Sequence, residues 1–237
     1  MRCFYCSTLS NGRIELSAQE ERHIFSVNKL RPEEKLLFID GEGTVVKAEL
    51  LKDKSFKILD ITKVSEPGIK LHLFVSPPRK QQMDQIIEQS SEVGIWSITP
   101  ILTQRAVSIP EKGSDNSRWN VKIIESCKQS HNSYFPKINQ TLSLDEALKK
   151  IKGLNFTSFF GSTEADNTVE VDFKSPASCN ERNIAWFVGP EGGFSPNEIE
   201  LMKANNVTSL KLGTAVMRVE TAAIVGSAYL LNTLSLK

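Results

Sequence analysis

The sequence Ala185-Trp186-Phe187-Val188-Gly189-Pro190-Glu191-Gly192-Gly193-Phe194-Ser195-Pro196-Asn197-Glu198 is the most informative stretch of the chain. Its apolar first half is typical of a buried strand, which leads into a glycine-rich turn. A helix is predicted to start at once, because Ser195 suits the N-cap, Pro196 the first helical position and Glu198 the third. The stretch therefore predicts a strand, a tight loop and a helix in succession, as in an α/β domain.

The same alternation of strands and helices extends from residue 70 to the last residues of the chain. Strands are predicted at residues 71–76, 95–102, 156–160, 184–189 and 209–212. Helices are predicted at residues 81–92, 117–132, 143–151 and 220–232, in addition to the one that begins after Ser195. This order favours a parallel sheet that is covered by helices on both faces.

Residues 1–69 follow a different pattern. Short strands are predicted at residues 13–16, 35–40, 44–51 and 56–64, and a helix is predicted from Ser17 to about Leu30. Several strands at short spacing indicate a small β-barrel. The segment Glu66-Pro67-Gly68 interrupts the pattern, so we expect two domains, one at 1–69 and one at 70–237.

The composition is that of an ordinary globular protein. The 237 residues are 40% hydrophobic and 24% charged, which excludes collagen, a disordered tail and a small disulfide-rich protein. The 29 Lys and Arg residues nearly balance the 28 Asp and Glu residues, for a net charge of +1. Any nucleic-acid site must therefore be a local patch.

Cysteine content and hydropathy predict a cytoplasmic protein. The four cysteines, Cys3, Cys6, Cys127 and Cys179, are too few for a disulfide framework in a chain of this length. Cys3 and Cys6 have the C-x-x-C spacing, but no second pair completes a zinc site, so no metal is expected. No apolar run is long enough for a signal peptide or a membrane span, and no membrane partner is expected.

Two loops predicted at strand ends form the candidate ligand site. The glycines of residues 189–193 let the backbone pass close to a ligand with its amides free to donate. Residues 213–217 form the second loop. Open α/β sheets bind ligands at this end of their strands, so we expect both loops to face one ligand. The alternative is that the first loop is only a tight turn from strand to helix.

The composition of these loops narrows the ligand class. Neither loop carries a phosphate-loop motif or the dinucleotide fingerprint. The neighbouring side chains of Val188, Leu212, Val216 and Met217 suit a flat adenine ring. Arg218 is predicted at a helix N-terminus, where the dipole disfavours a cation. It either holds a substrate or pairs with Glu220 or Glu191.

Two motifs, Gly189-Pro-Glu-Gly-Gly-Phe-Ser-x-x-Glu198 and Leu212-Gly-x-x-x-Met-Arg-x-Glu-Thr-Ala222, resemble the RsmE-type family of the SPOUT superfamily. Weaker matches are Met1-Arg-x-Phe, His23, Lys80, Glu92-Val-Gly94, Ile98-x-Pro100, Arg105, Arg118-Trp119, Glu125-Ser-x-x-Gln129 and Pro136. The resemblance implies methylation of a uridine N3 in 16S ribosomal RNA of the small ribosomal subunit, with S-adenosylmethionine as cofactor. It also implies a C-terminal parallel sheet with a trefoil knot, an N-terminal PUA-like barrel that binds RNA, and a homodimer whose sites are completed by the partner chain.

The resemblance implies the cofactor pocket, and the chemistry of the implied reaction suggests the catalytic and RNA-binding residues. The cofactor pocket, with Val188 added for its apolar side chain, would comprise Val188, Gly189, Glu191, Gly192, Leu212, Gly213, Met217, Arg218, Thr221 and Ala222. Arg105 and Arg218 are candidates for stabilising negative charge on the base, and Glu220 or Glu191 for accepting a proton or holding the cofactor's amino group. The candidate RNA-binding cations are Arg2, Arg22, Lys29, Arg31, Arg79 and Lys80.

The chain departs from the family pattern at several positions. The family usually has an arginine at the positions of Ala215 and Asn132 in this chain. It also has a different residue at the position of Asn28. These changes remove cations expected near RNA, so a ribosome-assembly factor with weakened catalysis remains an alternative. A second alternative is a SPOUT methylase that acts on a ribose 2′-hydroxyl or on another base.

Overall fold

The computed structural model describes residues 1–9, 13–108, 116–154, 156–163 and 182–235, and Cys179 lies outside these ranges. Contacts within the chain divide it into two units. The first unit is Met1–Glu66 with Ile123–Phe135, and the second is Pro67–Lys122 with Pro136–Lys237. The predicted domain ranges of 1–69 and 70–237 remain a prediction.

The first unit is built on a four-stranded sheet. Its elements are β1 (Arg2–Tyr5), α1 (Ala18–Arg22), a π-helical turn (His23–Val27), β2 (Lys35–Ile39), β3 (Thr44–Leu50) and β4 (Phe56–Lys63). The strands lie in the order β1-β2-β3-β4. β1 is parallel to β2, and the other two pairs are antiparallel. Phe4, Ile24 and Phe38 form part of its buried core.

The start of this unit differs from the sequence prediction. β1 was not predicted, and the strand predicted at 13–16 is represented by a single bridge between Thr8 and Glu15. Ser17 caps α1, since its side chain accepts a hydrogen bond from the Glu20 N–H at 3.2 Å. The α-helix nevertheless ends at Arg22, because the following residues His23-Ile-Phe-Ser-Val27 all have modest helix propensity.

The second unit alternates strands and helices. Its strands are β5 (Ile69–Val75), β6 (Ser97–Leu102), β7 (Lys137–Ile138), β8 (Leu142–Ser143), β9 (Thr157–Gly161), β10 (Arg182–Val188) and β11 (Thr208–Leu210). Its helices are α2 (Lys80–Val93), α3 (Asn116–Ser130), α4 (Leu144–Gly153), α5 (Pro196–Ala204) and α6 (Val219–Ser235). From Ile123 onward, α3 belongs to the first unit.

The main sheet of the second unit has the order β11-β9-β10-β5-β6-β7, and β8 pairs with β6. All of these strand pairs are parallel. The predicted α/β class with a parallel sheet is therefore confirmed. The trefoil knot stays a prediction.

Helices pack on both faces of this sheet. Phe187 of β10 stacks on Phe74 of β5 at 4.6 Å between ring centroids, in a core that also includes α4 and α5. Trp186 points to the opposite face, because successive side chains of a strand alternate. There its indole N–H donates to the Ala222 carbonyl of α6 at 3.2 Å. Among the described helices, none has the length and apolar composition needed to cross a membrane.

Candidate functional site

A cavity of about 910 Å³ lies at the carboxyl ends of the strands of the second unit. It is lined by the segments that follow β9, β10 and β11 and by the start of α6. Arg79, Gln82 and Val107 also line it. Open parallel sheets bind their ligands at this edge, so the cavity is the candidate functional site.

The loop after β10 is held in a tight turn. The Gly193 N–H donates to the Pro190 carbonyl at 2.8 Å, and Gly193 has a φ of 68°, which disfavours any side chain. The next residue, Phe194, is buried against Phe160 in an edge-to-face contact at 6.2 Å. The loop is therefore fixed on the sheet while its exposed residues 191–193 line the cavity.

The predicted capping box at the start of α5 is present. The Ser195 hydroxyl accepts from the Glu198 N–H at 3.3 Å, and the Glu198 carboxylate accepts from the Ser195 N–H at 2.7 Å. The other carboxylate oxygen of Glu198 accepts from the backbone N–H of Gln104 at 2.7 Å. Glu198 therefore also binds the loop that follows β6.

The loop after β6 makes a second contact with the loop after β10. The Arg105 guanidinium donates to the Gly192 carbonyl at 2.7 Å. Arg105 is not among the residues that line the cavity. In this geometry it positions the backbone of the glycine-rich loop.

The loop after β11 forms the other wall of the cavity. The Ser162 N–H donates to the Leu210 carbonyl at 3.1 Å, which joins the ends of β9 and β11. Leu212 and Met217 are half-buried, whereas Val216 is 80% exposed. This wall therefore offers the apolar side chains of Leu212 and Met217 to a ligand, whereas the side chain of Val216 is in contact with solvent.

Nine of the ten predicted cofactor residues line this cavity. They are Val188, Gly189, Glu191, Gly192, Leu212, Gly213, Met217, Arg218 and Ala222. Thr221 is the tenth, and it is an exposed residue of α6 that is not among the lining residues. The two predicted loops thus face one cavity, as the strand-end rule requires.

Of the three predicted catalytic residues, two lie at this cavity. Arg218 is exposed and Glu220 is half-buried, and both line it near the start of α6. Arg105 does not line the cavity, but its side chain donates a hydrogen bond to the carbonyl of Gly192, which does. The cavity therefore holds a guanidinium and a carboxylate that are two residues apart in the chain.

The six predicted RNA-binding cations are all exposed. Arg79 and Lys80 belong to the second unit, where Arg79 lines the cavity. The other four belong to the first unit and are Arg2, Arg22, Lys29 and Arg31.

The departures from the family pattern fall at different places. Ala215 lines the main cavity. Asn28 lines a smaller cavity of the first unit, and Asn132 lies just after α3.

The sequence analysis missed several lining residues. Residues 161–163 lie at the end of β9 and just after it, and the strand-end rule applied to the strand predicted at 156–160 would have indicated them. Gln82 and Val107 come after the strands predicted at 71–76 and 95–102 but further along the chain, so the same rule indicated them less directly.

Two of the described cysteines, Cys3 and Cys6, are poorly suited to thiolate chemistry. Cys3, Cys6 and Cys127 are free thiols, and Cys6 and Cys127 are buried. Burial raises the pKa of Cys3 to about 11 and also raises the pKa of Cys6. Both thiols therefore stay protonated and weakly nucleophilic.

The donor set of the main cavity fits S-adenosylmethionine. Leu212, Met217 and Val188 offer apolar contacts for an adenine ring, and the glycine-rich loop offers backbone N–H groups. Glu191 and Glu220 are carboxylates that can pair with an ammonium group. The volume lies in the upper part of the range of roughly 300–1,000 Å³ for small-molecule sites.

Comparison with known proteins assigns the two units to families. A family model described as an RNA methyltransferase domain matches residues 65–231, and one described as an RNA methyltransferase PUA domain matches residues 16–62. The predicted recognition and the predicted PUA-like N-terminal unit are both confirmed.

Individual relatives cover nearly the whole chain. Ribosomal RNA small subunit methyltransferase E of Aquifex aeolicus is 25% identical over 98% of this chain and 100% of its own. The enzyme of the same name from Rickettsia conorii is 26% identical over 92% of this chain and 89% of its own.

A solved structure has the same fold. It is a Ribosomal RNA small subunit methyltransferase E from Neisseria gonorrhoeae bound to S-adenosyl methionine, and its TM-score is 0.84 at 27% identity. The match covers 98% of each chain. From the domain matches, and with the cavity at the strand ends in place, we conclude that the chain belongs to the RNA methyltransferase family and carries a PUA domain before its α/β unit.

Proposed function

We propose that this protein methylates N3 of one uridine in 16S ribosomal RNA and uses S-adenosylmethionine as cofactor. The observation that carries the proposal is the convergence of nine of the ten predicted cofactor residues on one cavity. The names of its relatives and the bound cofactor of the neisserial structure support the same activity.

The cofactor would bind between the loops after β10 and β11. Leu212 and Met217 would contact the adenine ring, and Glu191 would pair with the ammonium group of the methionine part. When bound, the cofactor supplies an electrophilic methyl group on a sulfonium centre. The loop contacts made by Glu198 and Arg105 fix this wall before the ligand arrives, which reduces the entropy lost on binding.

The base must lose the proton of its N3 imide before or during methyl transfer. Negative charge then develops on the uracil ring, and a nearby cation lowers its energy. Arg218 would supply that cation from the cavity wall. Glu220 would accept the proton, since it lines the same cavity two residues further along. Arg105, whose side chain holds Gly192, would act by positioning the loop.

The substrate would be the RNA of the small ribosomal subunit, as in the names of the relatives. Its phosphates would be contacted by the exposed candidate cations Arg2, Arg22, Lys29, Arg31, Arg79 and Lys80. Because the net charge is only +1, these local groups rather than the overall field would provide the attraction.

The active form would be a cytoplasmic homodimer that binds through α6. This helix carries an exposed row of Thr221, Val225 and Tyr229, spaced four residues apart. Val225 is 39% exposed and Tyr229 is 44% exposed, so this row offers apolar surface that a second copy of the chain would cover. Light scattering of the wild type and of Tyr229→Arg would test the dimer, and a wild-type mass of one chain would contradict it.

Incubation with radiolabelled S-adenosylmethionine tests the activity and its substrate. We expect label in 16S RNA of small subunits that lack the modification, and none in large subunits or transfer RNA. Arg218→Ala should lower the rate at least a hundredfold, because it removes the cation that faces the developing charge. Binding of the cofactor without label in any RNA would favour the assembly factor, and label in another RNA would favour a different methylase.

A further inference from the structure

Three side chains of the first unit together have the composition of a metal site. Glu20 belongs to α1, His23 begins the π-helical turn that follows it, and Glu125 belongs to α3. One carboxylate oxygen of each glutamate and one ring nitrogen of the histidine lie within 4.8 Å of one another. We call these residues the three-residue cluster. Two of them, His23 and Glu125, line the smaller cavity of the first unit, so a small ion can reach them from solvent.

Local structure brings two of these groups together. Glu20 and His23 are three residues apart, a spacing that places side chains on the same face of a helix. The backbone of His23 is fixed, because its carbonyl accepts from the backbone N–H and from the side-chain nitrogen of Asn28, each at 2.9 Å. The His23 ring has no hydrogen bond to another described residue, so its nitrogens are available to a ligand.

The buried carboxylate of Glu20 is the feature that points to a ligand. Glu20 is 4% exposed, and its oxygen Oε1 accepts from the Lys128 ammonium at 2.8 Å. Its other oxygen, Oε2, is buried and has no hydrogen-bond partner among the described residues. Leaving a buried charged acceptor without a partner is costly, and buried carboxylates are normally paired or bound to metals. Oε2 is therefore the candidate ligand atom.

The local charge also favours a cation. The Lys128 ammonium lies 2.8 Å from one oxygen of Glu20 and 2.8 Å from one oxygen of Glu125, so these three groups carry a net charge of −1. The hydrogen bonds orient both carboxylates and leave the second oxygen of each for a metal, as outer-shell partners do in metal sites. Arg2 and Met1 also line the cavity, but both are exposed, so solvent screens their charges.

One imidazole and two carboxylates suit zinc. Proteins bind Zn²⁺ through nitrogen and oxygen atoms of these groups at about 2.0–2.2 Å from the metal, whereas Mg²⁺ and Ca²⁺ prefer oxygen ligands. Two ligand atoms of one Zn²⁺ ion are therefore at most about 4.4 Å apart. Small rotations of Glu125, whose side chain is 48% exposed, would bring the cluster to this spacing. A water molecule would complete the tetrahedron.

We propose that Glu20, His23 and Glu125 bind one Zn²⁺ ion, which links α1 and the π-helical turn to α3. The ion would fasten together the two chain segments that form the first unit. None of the three residues lines the main cavity, and the site does not depend on the proposed methyl transfer. It is also distinct from the pair Cys3 and Cys6, on which the expectation of no metal rested.

Isothermal titration calorimetry with zinc chloride tests the proposal on the full-length protein, after dialysis against a chelator and then against metal-free buffer. We expect one Zn²⁺ ion per chain. Glu125→Gln keeps an oxygen that can accept from Lys128 but removes the charge, and His23→Gln removes the imidazole. Because loss of an outer-shell partner already weakens metal binding by about 10–100-fold, each variant should weaken it by about a hundredfold or more. Wild-type affinity in either variant would overturn the proposal.

Matched controls separate this site from other zinc ligands nearby. Cys3→Ser and His131→Gln change residues that line the same cavity but do not belong to the three-residue cluster. Glu21→Gln removes an exposed carboxylate next to Glu20. All three variants should bind Zn²⁺ with wild-type affinity. A loss in any of them as large as the loss in His23→Gln would overturn the assignment of the ligands.

Hydrogen–deuterium exchange gives an independent readout of the link between the two segments. Zn²⁺ should slow amide exchange in residues 18–27 and 123–131 of the wild type, because opening either segment would break the metal site. His23→Gln should gain no such protection, and an unchanged melting temperature without metal would show that this variant is folded. Absence of protection in the wild type, or equal protection in His23→Gln, would overturn the proposal.

Discussion

Glu198 accepts a hydrogen bond from the backbone N–H of Gln104 at 2.7 Å, although the two residues are 94 positions apart in the chain. Its other carboxylate oxygen accepts from the Ser195 N–H. One side chain therefore caps α5 and joins the loop after β6 to the glycine-rich loop of the cofactor site. The capping box of α4 is different, because one oxygen of Glu146 accepts from both the N–H and the hydroxyl of Ser143.

Replacement of the two capping glutamates should separate these roles. In Glu198→Gln only the amide oxygen can accept, so one of the two backbone bonds is lost. We expect a loss of about 1 kcal/mol in unfolding free energy and about tenfold weaker binding of S-adenosylmethionine. In Glu146→Gln the single amide oxygen can still accept both bonds from Ser143, so we expect little loss of stability and unchanged cofactor affinity. Calorimetric titration checks both variants, and equal cofactor affinities would contradict the account.

Gly226 of α6 should not tolerate a side chain. A Cβ at this position would lie 2.4 Å from two carbons of the Trp186 ring, which is fully buried. Gly226→Ala should therefore lower the unfolding free energy by about 1–3 kcal/mol through overpacking. Gly153→Ala is the control, since a Cβ there meets no atom within 4 Å among the described residues. Urea denaturation compares the two, and an unaltered midpoint for Gly226→Ala would be inconsistent with this packing.

Lys128 should stabilise the first unit through its two carboxylate partners. Burial by itself lowers the pKa of Lys128, but hydrogen bonds to Glu125 and Glu20 raise it overall. Lys128→Met leaves the buried Glu20 carboxylate without its cation, at a cost of about 3–5 kcal/mol. Lys149→Met removes an exposed ion pair with Asp145 and should change the unfolding free energy very little. Equal unfolding free energies for the two variants would contradict the assignment.

His72 should make the second unit less stable in mild acid. Its ring nitrogens lie 2.8 Å from the Ser97 hydroxyl and 3.0 Å from the Asn183 amide oxygen. Burial lowers the pKa of His72 below the ordinary value of 6.5, so below that pH the unfolded chain binds a proton that the folded chain resists. Folding stability therefore falls as the pH drops below about 6.5.

Melting temperatures measured at pH 7.5 and pH 5.5 check this effect. We expect His72→Gln to lose much of the difference that the wild type shows between the two conditions. His131→Gln changes an exposed histidine and should keep the wild-type difference. An identical pH dependence in wild type and His72→Gln would rule out this histidine as the cause.

The sequence predicted those features that depend on short-range chemistry. The capping box at Ser195 and the helices predicted at residues 81–92 and 143–151 are local features, and the structure contains all three. The strand-end rule then brought two predicted loops to one cavity, because parallel strands present their carboxyl ends at the same edge.

Features that depend on distant contacts could not be predicted. Each residue of β1 pairs in parallel with a residue of β2 that lies 34 positions further along the chain, and the mixed composition of β1 carried no periodicity. The bond from Gln104 to Glu198 and the return of residues 123–135 to the first unit also arise only in the folded chain. The smaller cavity of the first unit is lined by residues of β1, of the π-helical turn and of α3, so no single motif marked it.

The position of the transferred methyl group tests the central claim most directly. Small ribosomal subunits that lack the modification are incubated with the protein and S-adenosylmethionine, and the 16S RNA is digested and analysed by mass spectrometry of its nucleosides. The account predicts 3-methyluridine at one site as the single new methylated nucleoside, and no product with Arg218→Ala. A 2′-O-methylated nucleoside, another methylated base, or no product despite bound cofactor would contradict it.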